Sequence, residues 1–140
     1  MSVLISEGKN LFVPLVALIS PFIIWPIELL LPFPYIVEEI VKAAFVVSIV
    51  DLPEKATQVK IVLAAALAFT LSETILYFLN ITLNGGLSAL VTRLILTGSL
   101  HSLTMIIMLT FTFRSKRWIL IGLIVAMLIH YSYNLSVRII

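Results

Sequence analysis

The stretch Glu38-Glu39-Ile40-Val41-Lys42 places three ionisable side chains inside a run of otherwise apolar residues. Residues 43–50 follow it with Ser48 as their one polar side chain, and they read as the continuation of a membrane span. An ionised side chain at the centre of a span costs roughly 2.5–3.5 kcal/mol on insertion scales, unless it pairs or faces a wet cavity. We therefore expect other spans to supply partners for these three groups.

The composition indicates a multi-pass protein of the cell membrane. The chain has 140 residues, is 61% hydrophobic and has a mean hydropathy of +1.20, whereas a soluble domain is nearer half apolar. We predict an all-α, polytopic membrane helix bundle that forms a single transmembrane domain over residues 1–140, surrounded by the lipid bilayer. The absence of cysteine excludes disulfides and cysteine metal sites. The net charge of +2, with no basic tract, argues against nucleic acid as a partner.

The length allows about five transmembrane helices of roughly 20 residues. The second is predicted to be short and to begin in the charged stretch. The turn-forming residues 82–86 are predicted to end the third, and the pair Gly98-Ser99 is predicted to bend the chain before the fourth. The predicted spans cover residues 11–31, 35–50, 58–80, 98–113 and 118–137, with 87–97 as a tilted lead-in.

The basic residues predict the orientation. Five spans put most of them on the side of the N-terminus, whereas the other side holds only Arg138, apart from Arg93 in the lead-in. The positive-inside rule then predicts a cytoplasmic N-terminus. The residues on the predicted cytoplasmic side are Lys9, Lys55, Lys60, Arg114, Lys116 and Arg117.

Several ionisable residues fall inside the predicted spans, and some share a helix face with a polar residue four positions on. Glu38, Glu73 and His130 all lie roughly one to three helical turns from the same end of the bundle. His101 joins this level if Arg93 marks the water boundary. The residues within the spans are Glu28, Glu38, Glu39, Lys42, Glu73, Arg93, His101 and His130, and the pairs are Glu38 with Lys42, Glu73 with Tyr77, and His130 with Asn134.

Each of these residues also has a purely structural interpretation. Glu38 and Lys42 could form an ion pair with Glu39 solvated beside it, Glu73 could be a buried partner of Lys42 or Arg93, and Arg93 could extend to the membrane surface. Taken together, however, carboxylates, histidines and an amide at one depth are the components of water-mediated peptide hydrolysis. A carboxylate can take a proton from water, and histidine and asparagine can donate to a developing oxyanion.

Four motifs in this order resemble the PrsW family of intramembrane proteases, which is related to the CAAX-protease and bacteriocin-processing superfamily. They are EExxK at 38–42, ExxxY at 73–77, a lone span histidine at His101, and HxxxN at 130–134. The resemblance implies an intramembrane endopeptidase of the glutamate type, acting near the extracytoplasmic face on a single-span membrane protein such as an anti-sigma factor.

The resemblance also implies a role for each matching residue. Glu38 would be the general base, aided by His101, and His130 with Asn134 would stabilise the oxyanion. Glu39, Lys42, Glu73 and Tyr77 would order the site. Two histidines and a glutamate could hold zinc, but no HExxH motif is present, and we favour a site without metal or other cofactor.

Two other functions are compatible with the same residues. A non-catalytic scaffold or immunity-type member of the superfamily would keep the fold without hydrolysis. A proton-coupled transporter would also use intramembrane glutamate and histidine, but it needs polar steps across both leaflets, and the inner halves of these spans offer almost none. The oligomeric state is left open.

Overall fold

The computed structural model describes the backbone of residues 2–138, and the side chains of 11–78, 81–83 and 85–137. The side chains of Lys9 and Arg138, which the orientation prediction uses, lie outside the described part. The regular secondary structure of the described residues is helical, with short turns between the helices, as predicted. Its elements are α1 (Ser2–Glu28), α2 (Pro34–Ile49), α3 (Lys55–Leu76), α4 (Phe78–Thr112), a 3₁₀ turn (Lys116–Trp118) and α5 (Ile119–Arg138).

Four of the described helices are long and apolar enough to cross a membrane, and α2 is the exception. Its 16 residues span about 24 Å, less than the roughly 30 Å of a hydrocarbon core. Pro34 begins this helix at a position where its missing N–H costs nothing. The prediction of a polytopic bundle with a short second helix is confirmed.

The distribution of side chains is that of a protein surrounded by lipid. Leu63, Leu67 and Leu71 form an exposed apolar stripe along α3, while the interior contains the fully buried Lys42 and His101. In water such a stripe would be an exposed apolar patch of the kind that marks a membrane or protein contact. The bilayer covers it here.

The short helix α2 lies at the centre of the bundle. It contacts α1, α3, α4 and α5, whereas the longer helices pack in the series α1–α3–α4–α5. The face of α2 that points into the bundle carries Glu39, Lys42 and Val46, which stand at positions i, i+3 and i+7 and are all inaccessible, whereas Ile40 and Val47 on the other face are exposed.

The predicted end of the third span is wrong. Helix α3 stops at Leu76, where Tyr77 leaves helical geometry, and α4 begins at once with Phe78. The expected turn over residues 82–86 is helical up to Gly85, and the Thr82 hydroxyl donates to the carbonyl oxygen of Phe78 at 2.8 Å. A hydroxyl bonded within the helix no longer competes with helical geometry.

The predicted bend at Gly98-Ser99 is also wrong. Helix α4 departs from helical geometry at Gly86, whose φ of 68° is a left-handed value that glycine adopts without steric cost. Gly98 instead lies against α3, where a Cβ on it would be 3.5 Å from Thr70 Cγ2. This glycine therefore allows α4 to pack closely against α3. The chain departs from helical geometry twelve residues earlier, at Gly86.

The loops α2–α3 and α4–α5 meet at the opposite end of the bundle from the start of α2. Lys116 pairs with Asp51, and the ammonium of Lys55 lies 4.7 Å from the centre of the Phe113 ring. Gln58 donates to the carbonyl oxygen of Leu52 at 2.6 Å and closes the α2–α3 loop. Most of the basic residues of the chain thus collect at this end.

Candidate active site

Lys42 is the centre of a hydrogen-bonded network inside the bundle. Its side chain is 0% exposed, and its Nζ donates to Glu39 Oε1 at 2.7 Å and to His101 Nδ1 at 2.5 Å. Glu38 Oε2 lies further away, at 4.0 Å. The ammonium of Lys42 therefore joins α2 to α4, and the three costly charges of the opening stretch are partly compensated as expected.

Glu39 is the main partner of Lys42, in contrast to the structural interpretation that left it solvated. Its Oε1 accepts hydrogen bonds from Lys42 Nζ and from His130 Nδ1, both at 2.7 Å, and its side chain is 0% exposed. The long Lys42 side chain reaches a residue three positions back as readily as one four positions back. Because the face of α2 that carries Glu39 and Lys42 packs against other helices, turning Glu39 away from Glu38 directs it into the bundle rather than into solvent.

The hydrogen bonds of His101 fix its protonation. An ammonium group has only donors, so His101 Nδ1 must accept from Lys42, and the ring proton of a neutral imidazole then resides on Nε2. That nitrogen lies 2.8 Å from Glu73 Oε2 and donates to it. His101 is fully buried, and its ring joins Lys42 on α2 to Glu73 on α3 through one hydrogen bond at each nitrogen.

Arg93 holds the other oxygen of the Glu73 carboxylate. Its Nη2 donates to Glu73 Oε1 at 2.7 Å, and its guanidinium lies 5.1 Å from the centre of the Tyr77 ring. The interpretation that Arg93 extends to the membrane surface is therefore wrong, whereas its pairing with Glu73 is confirmed. Tyr77, placed on the face of Glu73 by the sequence, supports that pairing through Arg93.

Glu38 and His130 face each other across a gap. His130 donates its Nδ1 proton to Glu39, which leaves Nε2 directed towards Glu38 Oε2 at 3.8 Å. Glu38 Oε2 has no hydrogen-bond partner among the described residues, and the side chain is 13% exposed. Asn134 lies one turn further along α5, half-buried, beside a small cavity at the same end of the bundle.

On its other side, Glu38 lies close to Glu73 and His101, and the space between these side chains has the dimensions of a water site. Oxygens of Glu38 and Glu73 and a ring nitrogen of His101 all lie within 4.8 Å of one another. A water 2.8 Å from each of two such atoms fits between them, since contacts longer than about 3.5 Å are commonly bridged in this way. The same three side chains are also the set that could offer ligands to a metal ion.

Two aromatic residues that the sequence analysis did not select shape this network. The Phe69 ring lies 5.2 Å from the His101 ring and 5.3 Å from Lys42 Nζ, and the Tyr35 ring lies 5.7 Å from the His130 ring. Phe69 stands four residues before Glu73, a spacing that could have placed it on the same face. Tyr35 likewise stands four residues before Glu39, and the same spacing could have pointed to it.

Comparison with known protein families gives a match. The family model described as PrsW family intramembrane metalloprotease matches residues 29–140, which include every predicted site residue. No curated protein and no solved structure matches the chain. The matched range covers most of the 140 residues and all of the motifs that the network brings together. The chain therefore belongs to the PrsW family of intramembrane proteases.

Proposed function

We propose that this chain is an endopeptidase that cleaves a single-span membrane protein with a water molecule activated by Glu38. Family membership supports a membrane protease in general. The observation that carries the assignment of the base is the unpartnered Oε2 atom of Glu38, beside His130, on a side chain that groups with Glu73 and His101. Glu39, whose Oε2 also lacks a hydrogen-bond partner among the described residues, is not part of that group. Glu73, by contrast, uses both of its oxygens to accept hydrogen bonds, from Arg93 and His101.

The reaction then proceeds by direct attack of water. Glu38 takes a proton from the water while the water oxygen attacks the carbonyl carbon of the scissile bond, and a tetrahedral oxyanion forms. When this intermediate collapses, the C–N bond breaks and Glu38 returns the proton to the departing amine. Water and peptide are consumed, and a carboxylic acid and an amine are produced.

His130 and Asn134 are the proposed donors to the oxyanion. His130 donates Nδ1–H to Glu39, and we assign its Nε2 as a donor to the oxyanion, joined by the Asn134 amide from the next turn of α5. The carboxylate of Glu39 orients the ring. Removing one such donor from an enzyme commonly costs about 100-fold or more in kcat.

The remaining residues position these groups. Lys42 holds Glu39 and His101, and His101 holds Glu73. We therefore propose that His101 aids Glu38 indirectly. His101 and Arg93 hold the Glu73 carboxylate in place, and Glu73 in turn positions the attacking water.

A divalent metal does not fit this set of donors. A metal-bound histidine usually donates its other ring N–H to an acceptor, but the other nitrogen of His101 faces the ammonium of Lys42, which can only donate. The same ammonium lies 4.0 Å from Glu38 Oε2, where it would repel a divalent cation. Although the family is described as metalloproteases, we propose that this site works without metal or other cofactor.

The distribution of charge supports an extracytoplasmic site. The network lies at the end of the bundle remote from the basic loops that contain Lys55, Arg114 and Lys116. By the positive-inside rule those loops are cytoplasmic, so the substrate would be cut near the opposite face.

The alternative of a proton-coupled transporter finds less support. One turn from Lys42 and His101, the interior holds Val46 and Met105, both 0% exposed. The buried Thr70 and Thr104 donate their hydroxyls to carbonyl oxygens of their own helices. A proton path across the membrane would need ionisable groups at that depth. A non-catalytic scaffold keeps the same network, and only a cleavage assay separates it from an enzyme.

The test is cleavage of synthetic single-span peptides by the full chain reconstituted in liposomes, with products located by mass spectrometry. Glu38→Gln should reduce cleavage by at least about 100-fold without loss of helical content. The same change at Glu54, an exposed acid at the start of α3, is the matched control and should leave cleavage unchanged. Cleavage that survives Glu38→Gln would exclude Glu38 as the base, and cleavage abolished by EDTA and restored by zinc would exclude the metal-free mechanism.

A further inference from the structure

A small cavity opens beside His130 at the end of the bundle where α2 begins. It encloses about 80 Å³ between the α1–α2 turn and the last turns of α5. It is separate from the hydrogen-bonded network, because none of its lining residues belongs to that network. Its walls are the prolines of the α1–α2 turn together with Phe33, Tyr35, Tyr131, Asn134 and Leu135.

Two residues connect this cavity to the proposed reaction centre. The Tyr35 ring lines the cavity and also lies 5.7 Å from the His130 ring. Asn134, the second proposed oxyanion donor, lines it directly. An oxyanion held by these donors places the adjacent Cα about 2.4 Å from that oxygen, given a C=O bond of about 1.23 Å and a Cα–C bond of about 1.52 Å. A side chain on that Cα is therefore within reach of the cavity that Asn134 lines.

The walls of the cavity indicate which side chains it accepts. They consist of aromatic rings, prolines and a leucine, with one amide and no charged side chain. A charged group placed there would lose hydration without gaining a counter-ion. A volume of about 80 Å³ corresponds to less than three waters at about 30 Å³ each, which is room for a small side chain and not for a large aromatic one.

We propose that this cavity is a specificity subsite that receives the side chain of the substrate residue supplying the scissile carbonyl, and that it selects small, uncharged side chains. The inference rests on the proposed function, because it takes His130 and Asn134 as the oxyanion donors. Tyr131 sets the limit on size: its ring lies 5.9 Å from the Tyr35 ring and closes the cavity on one side.

The first experiment measures selectivity. The full chain in liposomes is given single-span peptides that differ only at the residue before the cleaved bond, with Ala, Val, Leu, Phe or Asp there. We expect Ala and Val to be cleaved with the highest kcat/KM, and Phe and Asp at least about tenfold more slowly. Tyr131→Ala removes the closing ring, so the ratio of kcat/KM for Phe to that for Ala should rise at least about tenfold.

The matched control is Tyr133→Ala, on the opposite side of α5. Tyr133 lines a separate groove with Arg93 and takes no part in the cavity, so this change should leave the Phe-to-Ala ratio as in the unmodified chain. If Tyr131→Ala slows all peptides equally, or if both tyrosine variants shift the ratio alike, the subsite is wrong while the protease remains. If the unmodified chain cleaves none of the peptides, the proposed function itself fails, and the subsite with it.

A second experiment locates the side chain without catalysis. The chain contains no cysteine, so Tyr131→Cys introduces a single thiol. In a chain that also carries Glu38→Gln, this thiol should form a disulfide, under mild oxidation, with the best-cleaved peptide carrying cysteine before the scissile bond. Tyr133→Cys in the same background should not. Equal cross-linking at both positions, or cross-linking at Tyr133 alone, would overturn the placement.

Discussion

On α2, α4 and α5, one helical turn changes the interior of the bundle from charged to apolar. Lys42 precedes Val46, His101 precedes Met105, and His130 follows Ala126, each by four residues. We call the first set the polar layer (Glu38, Glu39, Lys42, Glu73, Arg93, His101 and His130) and the second the apolar layer (Val46, Ile49, Val62, Ala65, Met105, Met108 and Ala126).

The two layers are held together by different interactions. The apolar layer depends on dispersion and close packing, which tolerate substitution when volume is kept. The polar layer depends on directional hydrogen bonds in which each buried group needs a particular partner. In lipid, where association of helices gains little from the hydrophobic effect, such partners also specify which helices meet. Four predictions test this contrast, in order of decreasing effect.

The largest effect is expected from Lys42→Met. It leaves the Glu39 carboxylate buried without its ammonium and removes the donor to His101. Breaking a buried ion pair in this way typically costs 3–5 kcal/mol. The free energy of unfolding, measured in mixed micelles with increasing SDS, should fall by about that amount, and cleavage should be lost. Lys60→Met on the exposed face of α3 is the control and should change little. A loss below about 1 kcal/mol for Lys42→Met would show that Lys42 is not the centre of the layer.

In the apolar layer, Met108→Ala should cost about 2–4 kcal/mol by leaving a cavity. Unlike Lys42→Met, it should leave kcat nearly unchanged at temperatures where the protein stays folded, because no polar group loses its partner. Leu67→Ala, on the lipid-exposed face of α3, should have little effect on unfolding. If Met108→Ala lowers kcat as strongly as a change in the polar layer, the two layers are not separable.

Arg93→Gln tests the edge of the polar layer. The Arg93 side chain is 35% exposed, so its bond to Glu73 should contribute only about 1 kcal/mol to unfolding. Cleavage should fall more, by about tenfold, because one of the two donors that fix Glu73 is lost. Arg93→Lys keeps the charge but not the planar fork, and it should recover only part of the rate. Full recovery by lysine would mean that charge alone matters at this position.

The smallest effect is expected at the loop end. Lys116 and Asp51 form an ion pair with side chains 65% and 64% exposed. Such pairs contribute about 0–1 kcal/mol and are screened by salt. Asp51→Asn should therefore change the free energy of unfolding by less than about 1 kcal/mol and leave cleavage intact. A larger loss would mean that this loop contact, and not only the interior, holds the bundle together.

The sequence predicted which residues form the polar layer better than it predicted which hydrogen bonds join them. Spacing four along a helix placed Glu73 with Tyr77, and composition required a partner for Lys42. The sequence could not show which face of α2 packs against the other helices, and it therefore left Glu39 in solvent, although Glu39 binds both Lys42 and His130. Which face of a helix is buried depends on the arrangement of the whole bundle, and α2 has apolar residues on both faces.

The boundaries near Gly86 show a second limit. Asparagine, threonine and glycine between residues 82 and 86 favoured a turn, but the Thr82 hydroxyl bonds within α4 and the helix continues up to Gly85. Because α3 ends at Leu76, Glu73 lies one turn from the helix end, close enough for Arg93 to reach it. The interpretation of Arg93 as a surface residue followed from placing that boundary too late.

The partners of α2 also determine when it can settle in the membrane during synthesis. The partner of Lys42 on α4, His101, emerges 59 residues after Lys42, and the partner of Glu39 on α5, His130, emerges 91 residues after Glu39. At about 5–20 residues per second, the ribosome needs roughly 5–20 s to supply the last of these partners. Until then, the 16-residue helix carries Glu38, Glu39 and Lys42 with only the pairing among themselves, which lipid tolerates poorly. We therefore expect α2 to enter the bilayer late, with its insertion depending on completion of the rest of the bundle.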